Sequence, residues 1–225
     1  MNSTQFGPNE DFNRYPRDFD RDKELCENEG VDIIFHPSKE EMYLKSHRTF
    51  IITKNLANKL CGVSRPTHFR GVTTVVAKLF NSIKPHAAIF GQKDAQQSLI
   101  IMRMTNDLNM DVKIVIAPII RENDGLALSS RNEYLDKTER VQAVVLYQSL
   151  QRAEELIKSG ERNVKNLEKI MLEKINSVSI ARLDYLSFVD FENLEQVKVI
   201  KDNTLIALAV YFGKTRLIDN TIIRL

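Results

Sequence analysis

The stretch Ala87-Ala88-Ile89-Phe90-Gly91-Gln92-Lys93-Asp94-Ala95-Gln96-Gln97, with Val112-Lys113-Ile114-Val115-Ile116-Ala117 after it, decides the fold class. Residues 87–90 make a short apolar strand, helical spacing over about 94–108 follows, and the second apolar run is another strand. The segment therefore reads as a compact βαβ unit, which implies a parallel sheet with covering helices. Gly91 to Asp94 fall at the strand-to-helix turn, where free backbone N–H groups and the helix dipole favour a phosphate. Upstream, Val72, Val75, Val76, Leu79, Phe80 and Ile83 recur at the spacing of a helix packed on a sheet, ended by Pro85. Residues 20–29 read as a charged helix stopped by Gly30, and Val31-Asp32-Ile33-Ile34-Phe35 as a further strand closed by Pro37.

After Pro118 the pattern changes to a polar loop, helices near 137–159 and 163–177, and β-like segments near 183–191, 204–212 and 215–224. This predicts two domains, 1–119 and a smaller α+β domain over 120–225. The second carries Leu126-Ala127-Leu128-Ser129-Ser130-Arg131-Asn132, a small, hydroxyl-rich loop ending in a cation, able to wrap a polyphosphate and neutralise it. Each motif also has a plainer reading. Asp94 with Gln97 fits an N-cap and its capping-box partner, which a helix start needs whether or not a ligand is present. Ser129, Ser130 and Arg131 alone would pass for a polar loop capping the next helix. Lys93 resists that treatment, because a lysine on such a turn adds little to folding but meets a phosphate as a point charge. Together the two clusters point to ATP chemistry.

The 225 residues carry 28% charged side chains and a formal net charge of +2, with acids and bases interspersed, so neither nucleic acid nor a membrane is expected as a partner. Cys26 and Cys61 lie far apart and outside any metal-type spacing, the usage expected of a reduced cytoplasmic protein. The first thirty residues are polar, and no apolar run approaches the roughly 18 residues of a membrane span.

Longer runs carry a family resemblance. They are Gln5-Phe6-Gly7-Pro8-Asn9-Glu10-Asp11-Phe12 with Tyr15-Pro16-Arg17, Ser64-Arg65-Pro66-Thr67-His68-Phe69-Arg70-Gly71-Val72, the Gly91–Asp94 turn, Arg121 through Asn132, and Thr215-Arg216-Leu217-Ile218-Asp219-Asn220. In content and order they resemble the pantothenate synthetases, the ATP-dependent pantoate–β-alanine ligases, from the first residues almost to the last. Several long runs in one order are far more specific than any single short motif. The resemblance implies a Rossmann-like nucleotidyltransferase domain, its parallel sheet carrying helices on both faces, followed by a small α+β C-terminal domain.

It also implies a two-step ligation. The pantoate carboxylate attacks the α-phosphorus of ATP, pyrophosphate leaves, and the amine of β-alanine attacks the pantoyl adenylate to give pantothenate and AMP. By position in the motifs, Gly91, Gln92, Lys93 and Asp94 contact ATP. Leu128, Ser129, Ser130 and Arg131 form the phosphate loop, Ile120 touches the nucleotide through its backbone, and Gln5 and Gln97 hold pantoate. Lys93, Ser129, Ser130 and Arg131 carry the catalysis, Mg2+ bridges phosphate oxygens, and the enzyme is expected to be a cytoplasmic homodimer.

The sequence departs from the family pattern at Gln92 (usually glutamate), Ala95 (usually aromatic) and Thr67 (commonly glycine). A larger departure lies upstream. The family's strand, His-x-Gly-His turn and helix precede the Gln-Phe-Gly-Pro run, which here begins at residue 5, and none of His36, His47, His68 or His86 stands in that context. Two expectations follow: a synthetase whose sequence lacks about one βα unit and a further strand, roughly thirty residues or more, or an impaired remnant or subunit that only binds adenine nucleotide or pantoate. A tRNA-charging or other nucleotidyltransferase is disfavoured by the lack of a basic face.

Overall fold

The lysine turn hangs between two separate sheets, and the elements that hold it come from both ends of the chain. In the computed structural model, which describes residues 2–7 and 10–225, the helices are α1 (Phe19–Asn28), α2 (Lys39–Met42), α3 (Cys61–Ser64), α4 (His68–Ile83), α5 (Ala95–Asp107), α6 (Lys137–Gln142), α7 (Val145–Lys158) and α8 (Val164–Asn176). The strands are β1 (Ala87–Gly91), β2 (Lys113–Ala117), β3 (Ala181–Asp190), β4 (Thr204–Phe212) and β5 (Thr215–Ile223). β1 and β2 pair in parallel, Ala87 opposite Lys113 through Gly91 opposite Ala117, with α5 as the crossover. β3, β4 and β5 form a separate antiparallel sheet in that order. The chain is thus an α/β unit with a parallel sheet followed by an α+β unit, as the periodicity predicts.

Each half owes its core to a regular apolar stripe. Val72, Val76, Ala77 and Phe80 of α4 and Ile101 and Met104 of α5 pack together over Ala88, Phe90 and Ile114 of the parallel strands. α4 ends at Lys84, which takes a left-handed conformation (φ 52°) just before Pro85. Ile89, on the other face of β1, is 72% exposed. In the second half, α7 and α8 bury Leu146, Leu150, Ala153, Leu167, Met171 and Ile175 against Ile206, Leu208, Val210 and Phe212. The alternate residues of β4, Leu205 and Ala207, face Ala95, Leu99 and Ile100 of α5 and Phe69 of α4. β4 is therefore covered on both faces, which explains its unbroken apolar run.

Two sequence expectations need correction. Val31–Phe35 forms no ladder with any described residue, and Ile33 is 83% exposed. An apolar run becomes a strand only where a neighbouring edge takes up its N–H and C=O groups. Next to it, His36 stacks on Phe19 with ring centroids 4.4 Å apart. The helix expected over 137–159 is broken into α6 and α7 around the buried Ala143 and Val144.

The N-terminal segment reaches the core through a glycine. Gly71 lies where α4 meets the 3-10 turn Ser3–Gln5, and a Cβ there would run into the Thr4 carbonyl group and the Gln5 amide. Alanine normally gains about 1 kcal/mol over glycine inside a helix. Gly71→Ala should do the opposite, pushing residues 2–7 off α4. A lowered melting temperature with faster proteolysis near the N-terminus is expected, and an unchanged or raised melting temperature would contradict this packing.

Candidate active site

Gly91 ends β1 with φ −76° and ψ 136°, a conformation open to any residue, and an added Cβ would meet no protein atom within 4 Å. What this glycine leaves free is the space in front of the turn. The chain then passes through a 3-10 turn, Gln92–Asp94, directly into α5. This overturns the capping-box expectation: Asp94 makes no side-chain cap bond, because the helix grows out of the 3-10 turn rather than from an extended N-cap. Asp94 is exposed, and Gln97 has no hydrogen-bond partner among the described residues, so both side chains are available to a ligand.

Lys93 is half-buried and its ammonium likewise makes no hydrogen bond or ion pair within the described residues. Burial pulls its pKa below the usual lysine value; Arg131 pulls the same way, against the partial relief of Asp94 and Asp219. An unpaired, desolvated cation is costly in the folded protein. An anion is the group that would relieve it.

Opposite the turn lies the Ser129–Arg131 loop. Ser129 accepts from the Arg131 N–H at 3.2 Å and caps the 3-10 helix Ser130–Tyr134. Ser130 Oγ donates to Tyr15 OH at 2.8 Å. Arg131 binds Asp11 with Nε and Nη2, both at 2.9 Å. Burial alone would lower its pKa, but the Asp11 carboxylate more than offsets this and raises it. That bidentate grip leaves the Nη1 hydrogens unused. The loop's entrance is exposed: the Leu128 N–H donates to the Ile120 carbonyl at 2.9 Å, and the two side chains are 57% and 67% exposed. Such a pair of apolar side chains suits the flank of an adenine ring.

A cavity of about 70 Å³ is lined by Lys93, Asp94, Gln97, Ser129 and Arg131, together with His68, Arg65, Cys61, Tyr185, Arg216, Asp219 and Asn220. A wider cleft of about 710 Å³ lies alongside it, sharing Arg65, Arg131 and Arg216. Five of the expected site residues thus meet at one cavity. Gly91 and Gln92 sit at its rim on the same turn, while Ser130, Leu128 and Ile120 flank the loop. Gln5 does not line it. Its carbonyl accepts from His68 Nδ1 at 2.8 Å, and its side chain lies 3.4 Å from Asn2 Nδ2. The run containing Gln5 includes Pro8 and Asn9, which lie outside the described residues.

Several residues of this site were missed in the sequence reading. Asp11 and Tyr15 pin the loop, and Glu10 holds Arg65 in a two-point ion pair. Burial pushes the Glu10 carboxyl up, but the Arg65 guanidinium wins and holds it low. His68 is buried. Arg65 can only donate to its Nε2, at 3.3 Å, so Nδ1 carries the proton given to Gln5. Burial first, and the Arg65 charge second, lower His68 to about 4. The only advance signal was that these residues lie in the long family-like runs.

A βαβ unit with a lysine–aspartate turn at the carboxyl end of a parallel strand, faced by a hydroxyl-and-arginine loop, defines a nucleotidyltransferase-like fold. Comparison with known proteins goes further: the family model described as pantoate-beta-alanine ligase matches residues 1–222, and the chain belongs to that family. It is 54% identical to the pantothenate synthetase of Acetivibrio thermocellus over 99% of this chain and 79% of that protein, and 54% identical to the Thermotoga neapolitana pantothenate synthetase. The crystal structure of the Thermus thermophilus pantothenate synthetase superposes with a TM-score of 0.96 at 41% identity, covering 100% of this chain and 81% of the other. The Francisella tularensis pantoate-beta-alanine ligase, solved with Beta-gamma ATP and β-alanine, gives 0.79 at 35% identity over 99% and 76%.

The depressed His68 pKa fixes a pH dependence. In the unfolded chain an ordinary histidine titrates near 6.5, so between about 6.5 and 4 the unfolded state binds the extra proton and stability falls as pH drops. His68→Asn keeps a donor to the Gln5 carbonyl without the titration. Melting temperatures from pH 7 to 4.5 should fall more steeply for wild type than for His68→Asn; parallel curves would contradict a buried neutral imidazole.

Proposed function

We propose that this chain joins pantoate to β-alanine through a pantoyl-adenylate intermediate, releasing AMP and pyrophosphate. The observation that carries the proposal is the half-buried Lys93 ammonium, unpaired among the described residues, sharing one cavity with the Gln97 amide, likewise unpartnered among them, and the Ser129–Arg131 loop. Family membership supplies the reaction class.

A carboxylate is a poor acyl donor, so it must first be turned into a mixed anhydride. The pantoate oxygen forms a bond to the α-phosphorus as the bond to pyrophosphate breaks; the β-alanine amine then attacks the acyl carbon, and AMP departs with that oxygen. Positioning and charge neutralisation serve both steps better than a covalent protein nucleophile. Lys93 and Arg131 neutralise phosphate charge, Arg131 through the Nη1 hydrogens that Asp11 leaves free. Gly91 admits the nucleotide to the turn. The hydroxyl of Ser129 and the backbone amides of Gln92 and Asp94 supply further donors, while Ser130, bound to Tyr15, holds the loop in place. Ile120 and Leu128 border the base. Gln97 holds pantoate, its amide donating to the carboxylate and pairing with hydroxyls. Gln5 is assigned to pantoate from its motif position, next to His68. The exposed Asp94 carboxylate would be the protein group to hold Mg2+, in keeping with the ion's habit of taking one or two carboxylates, and the ion would offset phosphate charge.

The two sequence domains, 1–119 and 120–225, are read as the nucleotide-holding and loop-bearing parts of this site. A cytoplasmic setting is supported by the two free cysteines, and no helix of the described residues is long and apolar enough to cross a membrane. A homodimer rests on the family resemblance.

Lys93→Ala and Arg131→Ala should each slow adenylate formation by about 10²-fold or more, the scale for loss of one preorganised charge stabiliser. Pyrophosphate release with pantoate and ATP measures it, and near wild-type rates in both would remove the phosphate assignment. Gln97→Glu places a carboxylate beside that of pantoate and should weaken pantoate binding more than ATP binding. Equal effects on both ligands, or none, would make Gln97 structural.

A further inference from the structure

In the run Thr215–Asn220, Asn220 bonds to the lysine turn, and Asp219 bonds to Arg121 in the segment leading to the Ser129–Arg131 loop. Asn220 of β5 is buried, and its Nδ2 donates to two successive carbonyls of the lysine turn, Gln92 at 3.0 Å and Lys93 at 2.9 Å. Its Oδ1 lies 3.4 Å from Gln92 Nε2. The preceding residue, Asp219, takes Arg121 in a two-point ion pair at 2.7 and 3.0 Å, and Arg121 Nη1 also donates to the Gly125 carbonyl at 3.0 Å. Arg121 is bridged to Ala127, two residues before Ser129. Asp219 and Asn220 are opposite Leu208 and Ala207 in the ladder, where apolar residues would pack at no desolvation cost. Two buried polar side chains stand there instead, and among the described residues their side-chain bonds outside the strand go to the lysine turn and to Arg121.

We propose that Asn220 is a positioning residue for Lys93. The Lys93 ammonium makes no bond that would locate it within the described residues, so the hydrogen-bonded part of the residue is its backbone, which sets where the side chain starts. By drawing the carbonyls of residues 92 and 93 toward β5, the carboxamide fixes the two peptide planes on either side of the Lys93 Cα and so the direction in which the side chain leaves. Asp219 does the same for the loop through Arg121. One strand thereby sets the spacing between lysine and loop. This rests on the reading that Lys93 meets a phosphate.

Calorimetric titration of the full chain with ATP, and separately with pantoate, tests it in wild type, Lys93→Ala, Asn220→Ala and the double variant. Asn220→Ala should weaken ATP binding roughly 10- to 100-fold, the scale of a misplaced charge, and leave pantoate affinity unchanged. In the Lys93→Ala background it should cost nothing further, because nothing is left to position. Should Asn220→Ala fold poorly, Asn220→Ser, which keeps one donor, is expected to give a smaller loss with the same dependence on Lys93. Unchanged ATP affinity in Lys93→Ala would overturn the phosphate reading and this proposal with it. A weakened Lys93→Ala alongside wild-type affinity in the Asn220 variants, or fully additive losses in the double variant, would overturn the proposal alone.

Discussion

The burial of β4 on both faces is the constraint from which the rest of the architecture follows. Ile206, Leu208, Val210 and Phe212 close onto α7 and α8, while Leu205 and Ala207 close onto α4 and α5. Apolar area on both sides of one strand makes the two halves a single packed body rather than two tethered domains. Because α5 is pressed on that sheet at its N-terminal end, the turn before it is carried to β5, where Asn220 can reach its carbonyls. The candidate site is thus made at the seam, and its precision depends on core packing well away from the chemistry.

The arginines at the seam are each paired with a carboxylate. Arg65, Arg121, Arg131 and Arg216 each hold a carboxylate, Glu10, Asp219, Asp11 and Asp184, in geometry that uses two donors. Asp219 shows how tight the balance is: burial raises its pKa despite the Arg121 guanidinium beside it. Paired in this way, the guanidiniums of Arg65, Arg131 and Arg216 line a small cavity without the repulsion that bare cations would impose. The Lys93 ammonium has no partner among the described residues, so it is the cation with most to gain from an anion.

Much of the fold was legible because it is local. The α4 stripe, the β1–α5–β2 unit and the three C-terminal strands each repeat a period within a dozen or so residues. Val31–Phe35 shows the limit: its composition is that of a strand, but strand formation depends on an edge that composition does not reveal. The site divides the same way. The lysine turn and the Ser-Ser-Arg loop could be read from adjacent residues. The grips of Asp11 on Arg131, His68 on Gln5 and Asn220 on the turn join residues 120, 63 and 128 positions apart, and nothing in either partner's neighbourhood announces the other. The capping-box expectation at Asp94 failed for a subtler reason, since the 3-10 turn removes the extended N-cap on which that pattern depends.

The central proposal is that the turn after β1 and the loop at Ser129–Arg131 hold one nucleotide between them. A crystal structure of this chain with ATP and pantoate bound tests it most directly. The phosphates should lie within hydrogen-bonding distance of Lys93 Nζ and of an Arg131 nitrogen, with pantoate against Gln97. A nucleotide seated elsewhere, leaving Lys93 as bare as it is without ligand, would contradict it.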